Sequence, residues 1–364
     1  MDAALMTEMR SKDIQLAEGV ELIYGANDQP LLFNIKSKKY IRISTLGVEV
    51  LDLLNRSYSI DDIITHLAEK NDKNLQDVER VVFSFFYQLR QSGAINLDPV
   101  QVGKLEKTFN GLYSRPMLRL PLLKTTNKII HPFSYLLSKF SRRFLAILAF
   151  LTIILASIPL YILIGIVKLE FVSTPLNLWL IALGIFIHYI FHESHHAIVL
   201  KRFGIDIREA GIGLMYYFIP IAYVDTTDSY RLKRKFDRAA VSLAGPVFDI
   251  TGAGISSLFV LYGSETISAH FQVIMIIQLM IFIANLNPLL PTDGFHAIEA
   301  ASGELNLRRR AFEFFVAIAT FSELPASLIN ISRSRKTFYF IYGLINVLYI
   351  CIILFFAYRY IQRF

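Results

Sequence analysis

Charge and cysteine are what this sequence has least of. Only 18% of its 364 residues are charged, and it holds one cysteine, Cys351. A single thiol excludes a disulfide framework and a thiolate metal cluster. The segment Met1–Gly19 has no apolar core, so no signal peptide is expected. About the first 100 residues are therefore expected in the cytosol. What replaces charge is apolar bulk: 54% of residues are hydrophobic, with 29 Phe and 18 Tyr, a composition foreign to an ordinary soluble enzyme.

That bulk is gathered into windows long enough to cross a bilayer, which takes roughly 20 helical residues. Five are expected to do so: Phe144–Val167, Leu176–Leu200, Ala239–Gly263, Phe271–Leu290 and Thr337–Tyr358. Two contain an acidic residue, Glu193 and Asp249. An ionisable group inside a span is costly and marks function by default. The stretch Ala311–Ile331 carries Glu313, Glu323 and Pro325, and its membrane status stays open.

A formal charge of +7 raises the question of nucleic acid, but the basic residues sit beside the apolar windows. From Pro99 to Arg143 there are nine Lys or Arg against one Glu, leading straight into the first window. That pattern reads as a membrane-surface linker facing the cytosol, and no nucleic-acid partner is expected. Three regions follow: residues 1–98, the basic linker 99–143, and a membrane-embedded region 144–364. The fold class is mainly α, a polytopic helical membrane protein with an α+β unit at the front. The expected location is a multi-pass cell membrane, with the front unit cytoplasmic.

The front unit shows a strand triplet and three helices. Glu21–Tyr24 and Pro30–Ser37 read as a hairpin around Gly25-Ala-Asn-Asp, and Lys39–Ser44 alternates as a third strand. Helices are expected at Thr45–Asn55, Ile60–Lys70 and Asn74–Ser92, with Ala94–Leu97 as a short closing strand. This order, closing on "LRQSGAINL", resembles the PqqD-like winged-helix domain. The resemblance implies a recognition element for a leader peptide that adds as a strand beside the sheet.

The chemistry concentrates in "IHYIFHESHHAIVL". His192 and His196 share one helical face, their Cα atoms separated by a rise of roughly 6 Å. Two imidazoles so spaced can converge on one zinc, which in catalytic sites takes three protein ligands and leaves a position for water. Glu193, beside the first ligand, has the place of a general base. The third ligand must come from another span. The fourth window ends "NLNPLLPTDGFHAIE", where Asn287-Pro288 and Pro291 break the helix and Asp293-Gly294 follow. Such a break at membrane depth is tolerated where it lines a cavity. Both elements run inward and end near the cytosolic leaflet, so Asp293 is the expected third ligand and His296 an alternative. His188 lies roughly 12 Å from His196 along the helix axis, too far to share the ion, and His195 projects about 100° away from His196. The stretch Gly204–Tyr230, broken by Gly and Pro, is either an edge for a substrate strand or a structural hairpin.

Together with "LAGPVFD" at 243–249, these motifs resemble the site-2 protease family of intramembrane zinc metalloproteases. His192, Glu193, His196, Gly245, Pro246, Asn287, Pro288, Pro291, Asp293 and Gly294 fall on the family pattern over roughly residues 180–300. The resemblance implies one zinc ion on His192, His196 and Asp293, with Glu193 as base and Asn287 bonding substrate or oxyanion. Asp249 stands where the family often has asparagine. With the front unit, the whole resembles peptide zinc metalloproteases encoded beside epimerised-peptide genes. That implies a modified, ribosomally made precursor peptide as substrate and a peptide exporter as a further partner.

Two other readings use the same residues. "HESHH" is also a di-iron histidine box, but two irons need about eight ligands in that family, and only His66, His131, His270 and His296 lie outside the cluster. A non-catalytic receptor or immunity protein for the peptide would have no use for Glu193.

Overall fold

The structure, a computed structural model, describes residues 3–36, 39–98, 117–121, 126–166, 175–215, 219–304, 306–322, 324, 328 and 331–362. The chain separates into two compact units. One comprises residues 1–118 with 215–218 and 230–234; the other comprises 119–214, 219–229 and 235–364.

The first unit opens with a helix that the polar composition of Met1–Gly19 concealed, α1 (Ala3–Ser11), which buries Met9 completely. Strands β1 (Val20–Tyr24), β2 (Pro30–Asn34) and β3 (Lys39–Arg42) form an antiparallel sheet in that order, with Leu22 opposite Leu32 and Leu32 opposite Ile41. Helices α2 (Thr45–Asn55), α3 (Ile60–Asn71) and α4 (Leu75–Gln91) follow, each started by a side chain that satisfies an orphan N–H. Ser44 accepts from Gly47, Asn74 from Gln76, and Ser59 forms a reciprocal capping box with Asp62. Ala94–Leu97 makes only one bridge, Ile95 with Leu16, rather than a strand. The core is drawn entirely from residues 9–97, including Leu32, Ile63, Leu67, Phe83 and Phe86.

A second sheet pairs β4 (Met117–Pro121) with β5 (Ala210–Met215), and β5 with β6 (Ile219–Val224). The basic linker is therefore not featureless. It contributes β4 and also α5 (Thr126–Ser138), while 99–116 and 122–125 lie outside the described residues. Helix α5 buries Thr126, Ile130 and Ser134 and exposes an apolar stripe of Ile129, Phe133 and Leu136, continued by Phe140. Lys128 lies within α5 next to Ile129, and Lys139 follows its last residue, Ser138.

The long helices are α6 (Arg142–Ile166), α7 (Leu178–Arg202), α8 (Lys235–Tyr262) and α9 (Glu265–Asn285), then the shorter α10 (Asp293–Ser302) and α11 (Leu307–Ala319), and finally α12 (Arg333–Ile361). Among the described residues, three helical stretches are long and apolar enough to cross a membrane: Arg142–Leu163, Lys235–Tyr262 and Glu265–Asn285. The expected windows 176–200 and 337–358 fold as α7 and α12 but are not among these three. In α7 four histidines and Glu193 lower the hydropathy of an otherwise apolar helix. It begins after Asn177, whose side chain caps the Trp179 and Leu180 N–H groups. The stretch 311–331 is not one helix, because α11 stops at Ala319. Its 13 residues span about 20 Å, short of the roughly 30 Å hydrocarbon layer.

Candidate metal centre

Helix α7 packs against α8, and α8 against α9 and α10, which brings four separate segments to one place. His192 and His196, one turn apart on α7, are both buried. Asp293 arrives as the first residue of α10, after α9 ends at Asn285. The break has a local cause: Pro288 disfavours helical geometry at Asn287, and neither Pro288 nor Pro291 can donate a backbone hydrogen bond.

The three inward atoms form a nearly equilateral triangle. His192 Nε2 lies 3.2 Å from His196 Nε2, and Asp293 Oδ2 lies 3.2 Å and 3.3 Å from those two nitrogens. In a regular tetrahedral site with bonds of about 2.0–2.1 Å, ligand atoms stand about 3.3–3.4 Å apart. The triangle therefore has the size of one face of a zinc tetrahedron.

The outward atoms establish which nitrogens carry protons. His196 Nδ1 is 2.6 Å from the Val241 carbonyl, which can only accept, so Nδ1 is the donor. His192 Nδ1 is 2.7 Å from Asp249 Oδ1, again an acceptor when ionised. In the neutral imidazoles both Nε2 atoms are then lone pairs, and they face each other and a carboxylate oxygen. Three acceptors converging this closely call for a cation between them. This is the histidine orientation found in metal centres, where the second ring nitrogen donates to a carboxylate or carbonyl.

Gly245 makes the approach possible. A Cβ built there would run into Nε2 of both His192 and His196. Only a residue without a side chain lets α8 pass so close to the trio. Asp293 keeps 23% of its side chain exposed while the imidazoles are buried, so the trio opens to its surroundings on the Asp293 side.

Asp249 acquires a definite partner set. It has no exposed surface, and its Oδ1 accepts from His192 Nδ1 and from His188 Nε2 at 2.9 Å. Its Oδ2 accepts from Asn285 Nδ2 at 3.1 Å. His188 Nδ1 faces Gln278 Nε2 at 3.2 Å, and Gln278 Oε1 accepts from Ser256 at 2.8 Å. His188 thus supports the carboxylate that orients His192. Gln278 and Asn285 are absent from the residues singled out by sequence, although a polar amide inside an apolar window is a signal that could find them.

The remaining residues divide clearly. Glu193 lies next to His192 in the chain, and its Oε2 accepts from the Val224 N–H of β6 at 3.0 Å. Asn287 does not join the trio: its Nδ2 donates to Tyr349 Oη at 3.0 Å and its Oδ1 accepts from the Leu289 N–H at 2.9 Å. His296 points to Glu299, 3.7 Å away, rather than to the histidines. His195 donates to the Phe191 carbonyl and packs on Phe248.

Residues 180–266 match the model described as Peptidase family M50, the site-2 protease family. No curated protein matches the chain, and no solved structure does. The matched segment includes His192, Glu193, His196, Gly245 and Asp249. Asn287 and Asp293 fall outside it, so their part rests on the geometry and on the Asn-Pro-x-x-Pro-x-Asp-Gly pattern. The match supports a protease of the metalloprotease kind, and the three apolar helices support a membrane protein.

Proposed function

We propose that this chain is an intramembrane zinc endopeptidase in which His192, His196 and Asp293 hold one ion and Glu193 is the general base. The observation that carries this reading is the triangle of three acceptor atoms, whose only sensible occupant is a cation. Zinc there would supply Lewis acidity, polarising the scissile carbonyl and easing the deprotonation of water. The chain's own residues do the rest. The Glu193 carboxylate, fixed at one oxygen by the Val224 N–H, takes the proton of the attacking water and returns it to the leaving amine. Asp249 and the Val241 carbonyl keep both imidazoles turned with Nε2 inward. Asn287 Nδ2 spends one N–H on Tyr349 and has a second with which to bond a substrate carbonyl or oxyanion.

Strand β6 lies at an edge of its sheet, beside Glu193, and suits an extended substrate segment pairing along it. Upstream, the sheet β1-β2-β3 followed by three helices supports the PqqD-like reading of residues 1–98, a winged-helix peptide-recognition domain. On that basis the substrate is a modified, ribosomally made precursor peptide, bound at the front unit, cut at the membrane and passed to an exporter. The exposed stripe of α5, with Lys128 and Lys139 adjacent in sequence, supports contact with the lipid surface.

The test is Glu193→Gln in proteoliposomes. It should keep zinc and peptide binding while cleavage falls by about 100-fold or more, the scale of lost general base catalysis. Cleavage at the parent rate would overturn the mechanism. Deleting residues 1–98 should weaken binding of a leader-bearing precursor with zinc content unchanged. Equal affinity by titration would remove the recognition role.

A further inference from the structure

The turn that delivers Asp293 is tied by side chains to a helix that contributes nothing to the trio. Tyr342 Oη donates to the Pro288 carbonyl at 2.5 Å, and Asn287 Nδ2 donates to Tyr349 Oη at 3.0 Å. Both tyrosines belong to α12 and stand seven residues apart, within about 20° of the same helical face. The turn is also closed upon itself. Thr292 Oγ1 donates to the Asn287 carbonyl at 2.7 Å, and a Cβ on Gly294 would strike the backbone of Leu286. A segment so closed moves as one piece, and with two prolines it has few backbone bonds to hold its place. Two side-chain hydrogen bonds from outside, both with hydroxyls of α12, hold it.

We propose that Tyr342 and Tyr349 are positioning residues, through which α12 sets the pose of the Asn287–Asp293 turn and hence the third corner of the metal centre. This rests on the reading of His192, His196 and Asp293 as a zinc site. The Tyr342 ring is buried in a cluster with Phe295, Leu307, Ala311 and Phe314, so α12, α10 and α11 form one packed body around the turn. Losing a hydroxyl leaves that packing in place and removes only the tie. Helix α12 lies beyond the segment that matches the peptidase model, so this control over Asp293 belongs to a part of the chain outside the match.

The experiment measures Zn²⁺ affinity of the purified full-length chain in detergent, by competition with a chelating dye. Tyr342→Phe with Tyr349→Phe should weaken zinc about tenfold, the low end for partners that orient metal ligands. In an Asn287→Ala background the effect of Tyr349→Phe should vanish, because the tie is already cut, while that of Tyr342→Phe persists. Phe338→Ala, which thins the packing beside Tyr342, should lower the melting temperature and leave zinc affinity of the folded protein unchanged. Zinc affinity of the double variant within twofold of the parent, while Asp293→Ala loses zinc, would overturn the inference. An equal loss in Phe338→Ala would overturn it too, by making packing the cause. A parent that binds no zinc, or an Asp293→Ala chain that keeps it, would instead bring down the metal reading and this inference with it.

Discussion

Asp249 offers the sharpest test of how the metal centre is held. Its Oδ1 accepts from His192 and His188, and its Oδ2 accepts from Asn285, all with no exposed surface. Asp249→Asn keeps the volume and removes the charge, and its amide has two ways to sit. With its oxygen toward the histidines, the Nε2 lone pair of His192 stays inward and the Asn285 amide must rotate to present its oxygen. The loss is then the charge assistance, because bonds to a charged group are worth about 1.5–3 kcal/mol against about 1 for neutral ones. A net loss near 1.4 kcal/mol is about tenfold in zinc affinity. With the amide turned the other way, an N–H₂ group faces His192 Nδ1 and forces its proton onto Nε2, toward the trio. Affinity then falls by more than about 100-fold, beyond the usual cost of losing an orienting partner.

Either arrangement predicts at least a tenfold loss, and the first is the milder. Asparagine is common at this place in the family that the motifs resemble, so the milder outcome is expected. The assay is chelator competition on purified protein, with helix content compared between variants. Asp249→Ala is the companion variant: it strands two buried imidazole N–H groups and should also reduce thermal stability. Unchanged zinc affinity in a folded Asp249→Asn chain would refute the claim that this carboxylate orients His192.

Two further outcomes follow from other parts of the structure. Gly245→Ala places a methyl group against both Nε2 atoms and should weaken zinc by about 5- to 150-fold, since overpacking costs about 1–3 kcal/mol; unchanged affinity would mean that α8 is not held so close. In the front unit, the Arg90 guanidinium, then Lys12, holds the Glu8 carboxyl down to about 2 from 4.5. A depressed carboxyl contributes stability that is full above pH 4.5 and is lost as pH falls toward 2. Urea unfolding of residues 1–98, whose core is self-contained, should show Glu8→Gln flattening part of that acid limb; identical pH profiles would exclude the contact.

How much of this is legible in the sequence depends on the distance over which each signal acts. The helices of the front unit can be read to within a residue or two because their caps are local: Ser44, Ser59 and Asn74 each bond an N–H two or three residues on. The pairing of His192 with His196 is equally local, being one helical turn. Asp293 is reachable because two prolines break an apolar window where a charged residue follows. Helix α1 and strand β4 escape such reading, since α1 buries little beyond Met9 and β4 is completed only by pairing with β5, some 90 residues later. Asp249 stands out as a charge in an apolar window, yet its role is set by partners on α7 and α9 that no local pattern announces. Least legible of all is the grip of α12 on the turn. Tyr342 and Tyr349 sit among many aromatic residues of an apolar helix, and nothing local distinguishes them from lipid-facing ones. Their partners, Pro288 and Asn287, lie 54 and 62 residues earlier. A metal ligand can be recognised by its chemical type, whereas the residue that positions it is defined by what it touches. The inventory of ligands is therefore written in the sequence, and the accuracy of their placement is carried by contacts that appear only once the chain has folded.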